Sequence, residues 1–331
     1  MINQNNENNI WLLLDDRAGN CSQVLGVGKA LKSKYISKNI KYNNLSKLPN
    51  ILLKETINHI KLSDRKQFKP PWPKIIIGCG RKSAPIGLWI KKQSNNYSKY
   101  IQIMWPSYPY KDIDLIFTPY HDKVSPKKNV MNIITAPNII DKNLLDKSKL
   151  KWKKNLELLN KPRIAIIIGG DTKKYKLTSK HISLMFSKIK NVISKDISLM
   201  ITTSRRTSKN SFKRIKKEIA DLNNQKILWD INSNSPNPYY GFLSYADIVI
   251  VTGDSISICS EVCATGKPLL IFAPDDITLK KHKLFHRYLI NKGIAKYIDE
   301  FSLNNIKNIK YKSINEANNI AKIIKTKYLD D

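Results

Sequence analysis

A chain of 331 residues with 41% hydrophobic content is long enough for two cores, and no apolar run in it approaches the roughly 20 residues that cross a bilayer. Its net charge of +32 invites a nucleic-acid reading, but only eight of the 58 basic residues are arginine. The charge is also even, with 25 basic against 10 acidic side chains up to residue 150 and 33 against 16 beyond it. That spread excludes a dedicated basic module or a specific nucleic-acid site and leaves lysine on solvated faces, with loose attraction to anionic membrane or phosphate.

The first apolar run, "IWLLLD" (10–15), meets Asp15 and Asp16 after a few residues with no basic leader before it. A cytoplasmic chain, peripheral at most at the inner membrane surface, is expected. Helical spacing follows in "SQVLGVGKALKSK" (22–34), then strands at "KIIIG" (74–78), "YIQIM" (100–104) and "DLIFT" (114–118). The polar stretch 141–162, closed by Pro162, reads as a linker. Beyond it come "RIAIIIG" (163–169), a helix over 178–193, "LMITT" (199–203), "KILWD" (226–230), "DIVIVT" (247–252), a helix over 255–264, and "KPLLIF" (267–272). The phrase "PWPKIIIGCGR" (71–81) restarts as "NKPRIAIIIGGD" (160–171). The expected fold is α/β, with two facing Rossmann-like domains over 1–150 and 151–312, mostly parallel sheets, and a C-terminal helix in 313–331 that packs back on the first domain.

In such sheets ligands bind beyond the carboxyl ends of the strands. The loops there read "DDRAGN" (15–20), "GCGRKSAP" (78–85), "PYHD" (119–122), "GGD" (169–171), "TSRRT" (203–207) and "GDSIS" (253–257). Four of the eight arginines, Arg17, Arg81, Arg205 and Arg206, stand in them. A guanidinium fork and small residues that admit backbone N–H groups suit a phosphorylated ligand. "GCGRKS" is not a complete phosphate loop, and "GVGKAL" (26–31) falls inside a helical pattern, so neither supports a nucleotidase or a nicotinamide site. The four cysteines form no C-x-x-C pair, and His282 and His286, four apart, are assigned to a solvated or packing role rather than to metal.

Ser255 is placed as a helix cap, which sets Ser257 and Glu261 on one face. A carboxylate accepts the two hydroxyls of a ribose, and the helix N terminus suits the attached phosphates. The bland alternative for Glu261 is a surface pair with lysine. For His121 with Asp122, the choice lies between a positioned base and a hydrogen-bonded structural residue.

The "S-x-S-x-x-S-E" helix (255–261) followed by "G-K-P" (266–268) resembles the donor half of GT-B glycosyltransferases. The blocks "LLLDDRAGNCSQVLGVGKAL", "IIIGCGRKSAP", "TPYHD", "TTSRRT", "NPYYGFLSYADIVIVTGDSISICSEVCATGKP" and "KLFHRYL" resemble, in that order, the mitochondrial fission "elongated mitochondria" family of plants and alphaproteobacteria. Gly253 stands where the family is expected to carry alanine, a departure read as harmless. The resemblance implies a glycosyltransferase-like protein that takes a nucleoside-diphosphate sugar in the cleft between its halves, without a metal or a cofactor. Its donor would meet Gly169, Gly170, Ser204, Arg205, Arg206, Ser255, Ser257 and Glu261. The acceptor side would offer Asp16, His121 and Asp122 as candidate catalytic groups, with contacts from Arg17, Gly19, Asn20 and Arg81. The alternative it implies is a non-catalytic adaptor at a membrane surface.

Overall fold

The computed structural model describes residues 9–107, 110–125, 127–300, 302 and 309–330. The chain divides into two compact units, 1–139 with 315–331, and 140–314.

The first unit is built on strands β1 (Ile10–Leu14), β2 (Ile36–Asn39), β3 (Ile75–Cys79), β4 (Lys99–Ile103), β5 (Leu115–Pro119) and β6 (Val130–Ile133), with helices α1 (Ala18–Ala30) and α2 (Ala84–Gln93). All pairings are parallel, in the order β2-β1-β3-β4-β5-β6. A parallel sheet is covered on both faces, which is why β1 and β3 read as unbroken apolar runs; every residue of both is buried. Each fully buried Ile or Leu there contributes on the order of 1.5–3 kcal/mol.

The second unit carries β7 (Arg163–Ile168), β8 (Ser198–Thr203), β9 (Lys226–Trp229), β10 (Ile248–Thr252), β11 (Leu269–Phe272) and β12 (Ala295–Tyr297). They pair in the parallel order β12-β11-β10-β7-β8-β9. Its main helices are α3 (Lys142–Lys151), α4 (Ser179–Lys190), α5 (Lys209–Ala220), α6 (Tyr239–Tyr245), α7 (Ile256–Thr265) and α8 (Lys280–Asn291). The chain then returns to the first unit as α9 (Glu316–Tyr328), where Ala317, Ile320, Ala321 and Ile324 join Val24 and Val27 of α1 in one core. Asn315 caps α9, and the buried Glu316 accepts the Ile134 N–H at 2.8 Å.

The doubly wound α/β class holds in both units. The polar stretch 141–162 is not a linker: Asp141 caps α3 by accepting the Leu144 N–H at 2.7 Å, and Ile140 and Leu156 enter the core of the second unit. The division therefore falls at 139/140 rather than 150/151. Trp152 lies so close to α6 that a Cβ on Gly241 would meet its ring at 2.5 Å. Three strands, β2, β6 and β12, have no counterpart in the apolar runs. All lie at sheet edges, where at most two residues of each strand are buried and the apolar signal is diluted.

Candidate functional site

In each sheet the strand order reverses at one place, between β1 and β3 in the first unit and between β7 and β10 in the second. Loops diverge there and leave a crevice at the carboxyl ends.

In the second unit three loops are wired together at that point. The Thr252 hydroxyl at the end of β10 accepts the Gly169 N–H at 2.7 Å and donates to Asp254 Oδ1 at 2.6 Å. Asp254 Oδ2 accepts from the Gly170 N–H at 3.3 Å and from Arg206 Nη2 at 2.6 Å. Arg206 Nη1 reaches the Gly170 and Asp171 carbonyls at 3.2 and 3.0 Å, and Thr207 Oγ1 bonds the Gly169 carbonyl at 2.5 Å. The two glycines are required by this closeness: a Cβ on Gly169 would lie 2.2 Å from Asp254 Oδ1, and one on Gly170 would lie 2.2 Å from the Arg206 carbonyl. Arg206 is thus a clasp within the unit. Ser204 Oγ accepts the Arg206 N–H at 3.2 Å, shaping the same turn. Arg205 is exposed, and its guanidinium makes no hydrogen bond or ion pair among the described residues.

Ser255 caps α7, accepting from the Ile258 N–H at 3.4 Å. Ser257 and Glu261 follow on one helix face, both half-buried. The Glu261 carboxylate is engaged: Tyr239 of α6 donates its hydroxyl to Oε2. Burial, reinforced by the Glu261 charge, pushes the Tyr239 phenol well above its ordinary range, and the same causes raise Tyr240 to about 12. Both phenols therefore stay protonated donors. Gly253 proves to be a packing requirement, since a Cβ there would meet His286 Cε1 at 2.6 Å and Ala273 Cβ at 2.8 Å.

His282, assigned to a solvated or packing role from its spacing, lies beside the clasp. It hydrogen-bonds the Gly253 backbone and senses the Asp254 and Arg206 charges, while burial, the largest influence, pushes its pKa down. Asp254 and Thr252 were also missed as organisers. Their signal was present in the sequence, as polar residues immediately after a buried strand.

In the first unit the β1 and β3 loops meet. Asp15 accepts the Arg17 N–H at 2.9 Å and Asn20 Nδ2 at 2.7 Å, and burial raises its carboxyl above the usual range. Gly19 lies in the first turn of α1 beside Asn20. Asp16 is half exposed and faces Lys82 Nζ at 3.4 Å. Lys82 also stands 4.4 Å over the Tyr42 ring, and Tyr42 stacks on the buried His59 with centroids 5.6 Å apart. Tyr42 and His59 carried no sequence signal, because they come to this place from segments distant in the chain, whereas Lys82 lies in the strand-end loop 78–85.

Arg81 is taken up inside its unit: Nη1 donates to the Leu48 carbonyl at 2.5 Å and to Asn50 Oδ1 at 3.1 Å, and Nη2 to the Ser46 carbonyl at 2.6 Å. Arg17 is exposed and its side chain makes no such bond among the described residues. His121, buried in the turn after β5, lies 3.9 Å from Asp122. Strands β3 and β4 separate that turn from β1. At about 4.8 Å per strand step, the site of His121 and Asp122 is some 14 Å along the sheet edge from that of Asp16. The two candidate bases thus belong to separate places. No group of three or more His, Cys, Asp and Glu arranged to hold a metal ion occurs among the described residues.

Two doubly wound units with ligand-type loops at both switch points define the GT-B class of α/β proteins. Among solved structures, UDP-GlcNAc 2-epimerase from Neisseria meningitidis, bound to UDP-GlcNAc, matches with a TM-score of 0.57 at 15% identity, covering 97% of this chain and all of the other (100%). MurG of Acinetobacter baumannii matches with a TM-score of 0.54 at 12% identity, covering 96% of this chain and 99% of that one. At such identities the likeness is one of fold. The chain itself belongs to the Mitochondrial fission ELM1 family, whose profile matches residues 18–328. An uncharacterized protein of Rickettsia prowazekii is 34% identical over 96% of this chain and 98% of its own length. The mitochondrial fission protein ELM1 of Arabidopsis thaliana is 26% identical over 82% of this chain and 67% of its own. Among the described residues no helix is long and apolar enough to cross a membrane.

Proposed function

We propose that this protein binds a nucleoside-diphosphate sugar at the β7/β10 switch point of its second unit and transfers the sugar without a metal to an envelope or lipid-linked acceptor. The observation that carries the reading is the convergence, at one strand end, of the Gly169–Gly170 turn, the turn that carries the exposed Arg205, and the N terminus of α7 with Ser257 and Glu261 on one face. The diphosphate would lie against the backbone N–H groups that open α7 and against Arg205. Glu261, oriented by the Tyr239 hydroxyl, would accept from the ribose. As the glycosidic bond to phosphate breaks, negative charge grows on the leaving diphosphate, and Arg205 with the helix dipole would stabilise it. Asp16, steadied by Lys82, is the better placed candidate to take the acceptor proton, because it stands at the switch point of its sheet whereas His121 and Asp122 do not. That the epimerase neighbour holds UDP-GlcNAc on the same fold supports the choice of ligand class.

A second reading has its own observation. Arg81, Arg206 and Glu261 all hold bonds within their own units, as they would in a body kept for its surface, a non-catalytic adaptor at a membrane. Isothermal calorimetry with UDP and a panel of UDP- and GDP-sugars separates the two. Saturable binding weakened by Arg205→Ala supports the donor site; absence of any nucleotide binding by the intact protein leaves the adaptor.

A further inference from the structure

A cavity lies in the first unit, away from both strand-end loops of the switch point. It is a basin of about 850 Å³ at the amino ends of β5 and β6, bounded by the last turn of α2, the segments 110–115 and 127–129, and the end of α9. Five residues of β5, at roughly 3.3 Å each, separate it from the carboxyl edge where Asp16 stands.

Its wall is held in shape by a specific network. Asn129 Nδ2 donates to the Tyr110 and Ile113 carbonyls, each at 2.8 Å. Lys91 Nζ bonds the Asp112 carbonyl and Asp114 Oδ2, again each at 2.8 Å, while Asp114 also accepts the Tyr100 N–H at 2.8 Å. Five further lysines line the same concavity: Lys127, whose ammonium stands 5.5 Å over the Tyr110 ring, and, from four different parts of the chain, Lys92 from α2, Lys111 and Lys128 from the segments before β5 and β6, and Lys327 from α9. None of the last four ammonium groups has a hydrogen-bond or ion-pair partner among the described residues. Lysine outnumbers acid throughout this chain, so number alone decides nothing. The relevant features are convergence and concavity: four unpaired charges over a floor of Leu88, Ile113 and Leu115 focus their field into one basin, which separate lysines on a convex face do not. With Asp114 neutralised by Lys91, only Glu55 and Asp112 oppose them.

We propose that this basin is a second anion site, taking a ligand with clustered phosphates. Ammonium groups rather than guanidinium forks line it, so it recognises charge density and not a planar pair of oxygens. A soluble polyphosphate and a phosphorylated lipid headgroup share that chemistry.

The test uses tripolyphosphate at low salt with the full chain, measured by calorimetry, in three proteins. These are the wild type; a variant with Lys92, Lys111, Lys128 and Lys327 each changed to Gln; and a control with the exposed Lys69, Lys195, Lys213 and Lys217 changed to Gln. Circular dichroism and thermal melts confirm that all three are folded. The expected result is one saturable site, weakened about tenfold or more in the basin variant and less than about twofold in the control. Equal weakening in both variants, or no saturable binding by wild type, overturns the proposal. A parallel arm measures sedimentation with vesicles containing phosphatidylglycerol. Loss of vesicle binding in the basin variant alone, with tripolyphosphate competing, assigns the source to a lipid headgroup; selective loss of tripolyphosphate binding without change on vesicles assigns it to a soluble anion.

Discussion

The two switch points use the same materials to different ends. In the second unit the loops close on one another: Arg206 and Asp254 tie the Gly169–Gly170 turn to the start of α7, and both carboxylate oxygens of Asp254 are engaged. In the first unit Arg81 turns away from the strand-end loop to hold the segment around Ser46–Asn50, and the half-exposed Asp16 is left with Lys82. Each unit leaves the guanidinium of one exposed strand-end arginine, Arg17 or Arg205, without a hydrogen bond or ion pair among the described residues. Under the proposed function the crevice of the second unit would take the anionic donor and that of the first would offer a carboxylate to the acceptor. The lesson is that an arginine at a strand end is a ligand candidate only after its fork has been traced.

The comparison is broken most directly at Asp254. Replacing it with Ala leaves Arg206, the Gly170 N–H and the Thr252 hydroxyl without their acceptor. Since Arg206 is about two-fifths exposed, the full cost of a buried pair is discounted to about 2–3 kcal/mol, read as a lowered urea midpoint. Arg81→Ala should cost the first unit less, about 1–2 kcal/mol by the same assay, because it removes bonds to the Leu48 and Ser46 carbonyls and Asn50 Oδ1 without leaving a buried charge unpaired. If the two variants cost the same, the distinction between a closed and an open crevice is wrong.

Glu261→Gln sharpens the anion side. It keeps a Tyr239 acceptor but removes the charge, so UDP affinity should fall about tenfold, roughly 1.4 kcal/mol, with the melting curve nearly unchanged. Unfolding of this variant would show that the carboxylate is a structural partner of α6 and not a ligand group.

The last test, read as a pH dependence, is at Lys267 in the second unit. Its ammonium donates to the Ser244 and Ala246 carbonyls at the end of α6, and burial pushes it from 10.5 down to about 8. Between those values the unfolded chain holds a proton that the folded chain has lost, so the stability of wild type relative to Lys267→Met should rise with pH across that window, by at most about 1.4 kcal/mol per pH unit. Below about pH 8 both states hold the proton and the difference should be flat. Chemical denaturation of both proteins over this range reads the slope; a slope of opposite sign would mean that the two carbonyls outweigh the burial.

The sequence by itself determined the α/β class, the parallel sheets, the strand-end loops and the family. Those rest on local patterns, unbroken Ile and Leu runs and small residues after them, which follow from a sheet covered on both faces. It also placed the glycines at 169 and 170 where backbone approach is close. Tertiary structure alone decided the rest, because it turned on partners far apart in the chain. The stretch 141–162 looked like a linker until its few apolar residues were found in the second core. Arg206 looked like a phosphate ligand until Asp254, 48 positions away, was found beneath it. His121 looked close to Asp16 until the sheet order put two strands between theirs. A residue's chemistry is written in its type, but whether that chemistry is still available depends on which side chains the fold brings within about 3 Å of it.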